Sequence, residues 1–406
     1  MPTQSAPTAQ TTISLDQLLA HSDLKPLKVQ GRTLLPIVQG GMGVGVSAHS
    51  LAGTVAKHGG IGTIASVDLR HLHPDLAKAT HKAKGDDAKA LIDDANREAL
   101  RREIVAAKEI AQGNGLIAVN VMKALSAYEL YVKAALDAGA DALVVGAGLP
   151  LDLPELAADY PNVALIPILS DARGVKIVLK KWARFNRLPS AIVLEHPGYA
   201  AGHLGAASVS DLHNERFDFE TVIPETLAVL KEFGAESIPV IAAGGIRTHE
   251  DILRIQALGG AAVQLGTPFA VTTEGDASAG FKAVLANAKE EDMVEFLSVA
   301  GLPARAVKTP WLEHYLDKLE KLQARAKEKA HCIKFFDCLA HCGLRDGNAK
   351  MGQFCIDHQL TQAFKGLGEK GLFFRGMGKL PFGDQIRSVQ ELLTVLLQPA
   401  TKVASL

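Results

Sequence analysis

The sequence predicts an α/β fold, a (β/α)8 TIM barrel with a mostly helical C-terminal extension. Three observations carry this. Short β-type apolar runs recur eight times between residues 34 and 267, amphipathic stretches separate them, and the chain continues far beyond the last run. The runs are continuous rather than alternating, as strands covered on both faces should be. A doubly wound open sheet is the alternative, but it usually needs fewer repeats.

Strands are expected at 35–39, 61–66, 117–122, 142–146, 163–169, 191–195, 240–243 and 262–266. Helices are expected at 127–138, 175–185, 224–233 and 249–258. Two connections are long. One, after the second strand, holds 86–112, rich in Ala, Lys, Glu and Asp at helical spacing; the other, after the sixth, holds 198–219. Long loops after barrel strands lie at the catalytic face. A bare barrel needs about 250 residues. The chain therefore divides into a lead-in (1–30), a barrel (31–310) and an extension (311–406). The extension opens near Trp311, runs through a charged helix at 313–329, passes the cysteines and ends in an amphipathic helix at 385–397.

Hydrophobic residues make up 48% of the 406 residues, enough for a sizeable core, which excludes disorder over most of the chain. Lys+Arg is 43 and Asp+Glu 44, a balance that argues against nucleic acid or a basic membrane patch. No apolar run reaches about 18 residues, so no membrane span is expected. The first residues lack the basic start and apolar run of a secretory signal, which points to the cytoplasm. A reducing compartment turns the four cysteines towards metal or redox chemistry.

The seventh strand ends in Ala242-Ala243-Gly244-Gly245 and the eighth in Gln264-Leu265-Gly266-Thr267. In a barrel these loops are neighbours, and their glycines let backbone N–H groups approach an anion. The pair points to a phosphorylated ligand, although tight turns alone would also use glycine. The first strand ends in Gln39-Gly40-Gly41-Met42, where N–H groups can meet the N5 and O4 edge of a flavin. Asn120 brings an amide to the same mouth from the third strand, unless it only caps a loop. His203 lies in the glycine- and alanine-rich loop after the sixth strand, with a side chain able to exchange a proton near neutral pH.

Six segments, PIVQGGMGVGVS, AVNVM, GHLG, PVIAAGGI, QLGTPF and SVAGLPARAV, occur in this order, and together the chain resembles the nitronate monooxygenase family. That family was formerly called 2-nitropropane dioxygenase and includes FMN-dependent enoyl-acyl-carrier-protein reductases. The resemblance covers about residues 30–310. It implies non-covalent FMN, with Gly244, Gly245, Gly266 and Thr267 on the phosphate. Gln39, Gly40, Met42 and Asn120 would contact the ring, and Gly41, Gly202, Ala243 and Gln264 complete the cofactor set. His203 matches the family's catalytic histidine. Where many members carry Glu-Ala-Gly-Gly before it, this chain has Tyr199-Ala200-Ala201-Gly202, a departure that bears on the substrate.

The cysteines are spaced Cys332-x5-Cys338-x3-Cys342-x12-Cys355. Zinc ribbons show C-x2-C pairs, which are absent here, whereas four thiolates from one segment can hold a [4Fe–4S] cluster. Structural zinc and free buried thiols are the alternatives. The segment resembles that of a bacterial branch of the family, the flavin and iron–sulfur acyl-carrier-protein dehydrogenase/isomerases of unsaturated fatty acid synthesis. That likeness implies a trans-2 to cis-3 decenoyl-type isomerisation with His203 as acid and base. The competing expectations are oxidation of alkyl nitronates with O2, NAD(P)H-dependent reduction of an enoyl thioester or quinone, and a non-catalytic electron carrier. The substrate would be a small molecule or an acyl chain on its acidic carrier protein, which Lys180, Lys181, Arg184 and Arg187 would meet. O2 or a redox carrier would take the electrons. The oligomeric state stays open, a homodimer included.

Overall fold

A computed structural model describes residues 15–399 except 21 and 86. The start of the lead-in, with the segment read against a secretory signal, and the end of the extension lie outside the described residues. The strands in chain order are β1 (Leu27–Val29), β2 (Arg32–Leu34), β3 (Ile37–Gln39), β4 (Ile61–Ala65), β5 (Leu116–Met122), β6 (Ala142–Gly146) and β7 (Ala164–Leu169). They continue with β8 (Ile192–Glu195), β9 (Gly202–His203), β10 (Val240–Ala243), β11 (Ala262–Leu265), β12 (Met293–Leu297) and β13 (Pro303–Val307). Strands β3 to β8 with β10 and β11 pair in parallel and close into a barrel. These are the eight expected runs.

Alternate residues of each strand serve two different cores. In β5, Leu116 and Ala118 join the cluster inside the barrel, while Ile117, Val119 and Val121 pack against the surrounding helices. The β1–β2 hairpin plugs the barrel: Leu27, Val29 and Leu34 belong to the interior cluster, each burial contributing about 1.5–3 kcal/mol.

The long connection after β4 forms the helix Ala88–Ala111. Its buried positions Ile92, Asn96, Ala99, Glu103 and Ala107 recur at helical spacing. Gln112, in the left-handed region at φ 53°, ends it. Buried Glu103 is held by His49 Nδ1 at 2.7 Å and His73 Nε2 at 2.9 Å.

Two features differ from expectation. The stretch 313–329 forms two short helices, Pro310–Asp317 and Leu319–Ala324. Beyond them Lys329 N–H donates to Arg345 O at 2.9 Å, so pairing with the cysteine segment overrides helical propensity. In addition, β12, β13 and β9 form an antiparallel sheet outside the barrel, in which His203 pairs with Ala304. The expected terminal helix is present as Val389–Leu397; it starts at Ser388 because that hydroxyl and Glu391 form a capping box. Among the described residues, no helix is long and apolar enough to cross a membrane.

Candidate active site

Period-two alternation decides which side chains reach the barrel mouth. Inward-facing positions near the ends of the eight strands include Gly40, Ala65, Asn120, Gly146, Ile168, Glu195, Ala243 and Gln264. All eight line one cavity of about 290 Å³. The expected residues Gly41, Met42, Gly202, His203, Gly244, Gly245, Gly266 and Thr267 are in its wall as well.

Gln39 is the exception and requires a correction. It has the parity of outward-facing Ile37, and its amide is used between strands. Nε2 donates to Thr63 O at 3.1 Å, and Oε1 accepts from Thr63 N–H at 2.8 Å. It does not line the cavity.

The inward amides suit a flat polar ring. Asn120 donates Nδ2 to Val144 O at 3.1 Å. A Cβ at Gly41 would lie 2.3 Å from Asn120 Cβ, so only glycine lets the loop pass over this side chain. Gln264 Oε1 is buried without a partner, which makes it an acceptor for a donor on a bound ligand.

The glycine loops form one corner of the cavity together with Arg247, which buried Arg375 backs; the sequence motifs point to neither. Arg247 lines the wall, and its Nε is buried without a partner. It passes against Gly378 of the extension, where φ is +94° and a Cβ would lie 2.0 Å from the guanidinium carbon. Buried Arg375 donates to Leu285 O (2.9 Å), Gly376 O (2.8 Å) and Gly378 O (3.2 Å), which holds that strap in place. Gly376 N–H in turn donates to Thr267 Oγ1 at 3.0 Å. A backbone cradle with one uncommitted guanidinium fits a phosphate. Arg247→Ala is therefore expected to weaken FMN binding about 10- to 100-fold, the value of one charge-assisted hydrogen bond, as read by flavin fluorescence during titration.

His203 is fixed by strand pairing and flanked by Phe374, with ring centroids 5.8 Å apart. Its Nε2 has no partner, and its enclosure pushes the imidazole down to about 4. Its ring is neutral at ordinary pH, and its unpartnered nitrogen is available to accept a proton. Tyr199, at the position where the family pattern has Glu, packs tilted against His196 with ring centroids 4.5 Å apart, and its backbone carbonyl accepts Met377 N–H at 3.0 Å. It supports the strap instead of presenting a carboxylate.

The cysteine segment is stitched to the catalytic face. Ser126 N–H donates to Cys338 O at 3.2 Å, and Ala340 N–H donates to Ala124 O at 2.9 Å. Cys338 itself lines the cavity. Burial raises its thiol, and the negative charge of Asp357 and then the other three thiols add to this. Burial also raises Cys342, and pushes Cys355 up to about 11. Backbone N–H groups of Arg345 and Leu344 donate to Cys342, and that of His358 donates to Cys355. Thiols gathered in this way with donors beside them fit a metal centre that stabilises thiolates.

Among the described residues, the group of three or more His, Cys, Asp or Glu ligand atoms lying within 4.8 Å of each other is Asp68, His71 and Asp357. No three cysteine sulfurs are that close, whereas tetrahedral zinc would draw sulfurs to about 3.8 Å apart. The Asp68 group already has its cation, the Arg70 guanidinium in contact with Asp68 Oδ1.

Of the expected basic patch, Arg187 turns inward and donates to Tyr160 O (3.0 Å) and Val163 O (2.7 Å). It is removed from the patch. Lys180 and Arg184 are exposed.

A family profile described as "Nitronate monooxygenase" matches residues 26–399. Over 162 residues the chain is 38% identical to a probable nitronate monooxygenase of Staphylococcus aureus, covering 38% of this chain and 42% of that protein. A probable nitronate monooxygenase of Staphylococcus haemolyticus is 32% identical over 155 residues, 36% of this chain and 42% of that one. The matched part thus spans under half the length of these curated relatives. Among solved structures, FabK from Thermotoga maritima superposes with TM-score 0.61 at 20% identity, covering 98% of both chains. Nitroalkane oxidase from Streptomyces ansochromogenes gives 0.59 at 18% identity, covering 96% of this chain and 98% of that one. These two share the fold.

Proposed function

Since its residues 26–399 match that profile, the chain belongs to the nitronate monooxygenase family, and we propose that it is an FMN-dependent acyl-carrier-protein dehydrogenase/isomerase of the cytoplasm. The observation that carries the acyl reading is Cys338, a member of the cysteine quartet, in the wall of the cavity that holds His203. A redox centre there gives electrons a way out of the site other than O2.

FMN, when bound, supplies the two-electron acceptor. Gly244, Gly245, Gly266, Thr267 and Arg247 would hold its phosphate, while Gly40, Gly41, Met42, Asn120 and Gln264 would meet its ring. Cys332, Cys338, Cys342 and Cys355 would hold a [4Fe–4S] cluster, which supplies an electron exit. His203 does the proton work. The thioester carbonyl acidifies the neighbouring C–H, and the free Nε2 takes that proton. Once neutral again, the same imidazole can take a proton from the γ carbon of the trans-2 product and return it to the α carbon, shifting the double bond to cis-3. Phe374 and the extension strap shield this exchange from bulk water. Outside, the exposed Lys180 and Arg184 would meet an acidic carrier protein.

The test is an anaerobic absorbance spectrum with iron and sulfide analysis, followed by addition of decanoyl-acyl-carrier protein. Flavin bleaching and about four irons per chain are expected. The curated relatives favour a second reading, oxidation of alkyl nitronates by O2. Unchanged absorbance with the acyl substrate, together with nitrite release from propionate 3-nitronate, would assign that reading instead.

A further inference from the structure

In the ring of inward-facing residues that floors the cavity, Glu195 is the ionisable one. It follows Ala191 and Val193 on the interior face of its strand end, so its carboxyl must point into the mouth. Behind it lies a second chamber of about 330 Å³, walled in part by Ser170, Asp171, Leu204 and Leu302. Both Glu195 and His203 line both spaces. Ala147 and Ile168 are the other residues common to both, so Glu195 and His203 are the ionisable residues at the boundary between the two spaces.

The surroundings set the charge of this carboxyl. Arg305, fully buried, draws it towards ionisation, but that guanidinium is already paired with Glu295. Glu295 also meets His213 at 3.1 Å. His196, the next residue, directs Nε2 to Asp218 at 3.1 Å. Asp171 and neutral His203 are the remaining titratable groups in the chamber walls. With its one cationic neighbour offset, enclosure prevails and pushes the Glu195 carboxyl up to about 7. The usual order is inverted, because the carboxylate here holds a proton more firmly than the imidazole does.

We propose that Glu195 is the second proton-transfer residue of this site, accepting the proton that His203 has taken from substrate and releasing it to water in the second chamber. The proposal rests on the proton-abstracting role of His203 given above. In the first step the substrate C–H bond breaks, its electron pair stays with the substrate, and an N–H bond forms at Nε2. In the second step that N–H bond breaks, an O–H bond forms on the Glu195 carboxylate, and the imidazole is neutral again. The order of proton affinities makes the second transfer downhill.

Glu195→Gln in the full-length holoprotein tests this in two ways. The first needs no substrate. A carboxyl whose folded value exceeds its unfolded one costs stability as pH rises through the folded value. E195Q should therefore unfold at higher urea than wild type at about pH 8.5, and the two should converge at about pH 4, below the unfolded value. Equal midpoints at both would overturn the proposal. The second arm uses any substrate that bleaches the flavin. Wild-type kcat/KM should fall as pH drops through about 7, where the acceptor becomes protonated. E195Q should be at least about 10-fold slower at high pH and should lack this limb, leaving only the fall near pH 4 set by His203, and E195D should restore it. An unchanged rate and profile in E195Q would overturn the relay. If no substrate bleaches the wild-type flavin, the proposed function fails, and the unfolding arm still decides whether Glu195 holds the proton.

Discussion

Replacing His203 with alanine is expected to lower kcat/KM by about 10²- to 10⁴-fold, the usual worth of a positioned base, while flavin content stays that of the wild type. The expectation follows from a division of labour in the cavity. The phosphate corner and the inward amides are on β3, β5, β10 and β11, whereas His203 sits on β9, outside the barrel. Removing its ring leaves Gly202 and the β9–β13 pairing intact, since those are backbone contacts. Rapid-mixing absorbance separates the two effects: bound FMN should remain, but substrate should no longer bleach it. A non-catalytic electron carrier would keep its activity in H203A, so an unchanged rate would move the protein to that class. Stability gives an independent check on the same ring. The folded imidazole is held at about 4, below its ordinary value. Between the ordinary value and that one, the unfolded chain binds a proton that the folded chain refuses, so stability is lost as pH falls. H203A should lack this part of the acid loss, read as a smaller drop in urea midpoint from about pH 7 to pH 4.5.

The same alternation explains what was legible in the sequence and what was not. Eight apolar runs and their glycine ends were enough for the barrel, because strands buried on both faces must be apolar along their length. Asn120 and Gln264 stood out as amides at the ends of such runs. Gln39 looked equivalent, yet one position of parity turns it from the mouth into the sheet. Counting inward from Val38 would have selected Gly40 and passed over Gln39. Counting from Val193 would have selected Glu195, which a search for glycine motifs does not see. Arg247 lies only two residues past Gly245, but its role depends on Gly378, more than a hundred positions away in the chain. No local pattern encodes that meeting. The split of 313–329 has the same origin, a pairing with Arg345 that helical periodicity cannot reveal.

Loss of the cysteine centre should have the other large effect. In Cys338→Ser, iron is expected to fall from about four per chain to less than one, because a [4Fe–4S] cluster deprived of a thiolate ligand is seldom retained. Turnover should stop even though a single flavin reduction by substrate remains, since His203 and the phosphate corner do not depend on the thiol. Stopped-flow absorbance under anaerobic conditions distinguishes these: one bleaching phase, then no cycling. A structural consequence accompanies it. Around the cysteines Ile333 is 53% exposed, while Phe336 is buried and Leu339 and Phe354 anchor the segment to the core. The segment is also held by backbone bonds to Ala124 and Ser126, by Arg345 clasping Leu339 O (3.0 Å) and Ala340 O (2.8 Å), and by whatever joins the sulfurs. Burial raises the free thiols, so without a metal they stay protonated and contribute little cohesion. Trypsin should then cut the C338S protein within the lysine-rich stretch 327–334 well before it cuts the intact one, whereas the barrel fragment resists. If iron content and cleavage are unchanged in C338S, the four cysteines do not share one centre, and the cavity wall at Cys338 is packing alone. Zinc in place of iron would keep the cleavage pattern but remove the electron exit, and with it the strongest reason to set acyl chains above nitronates as the substrate.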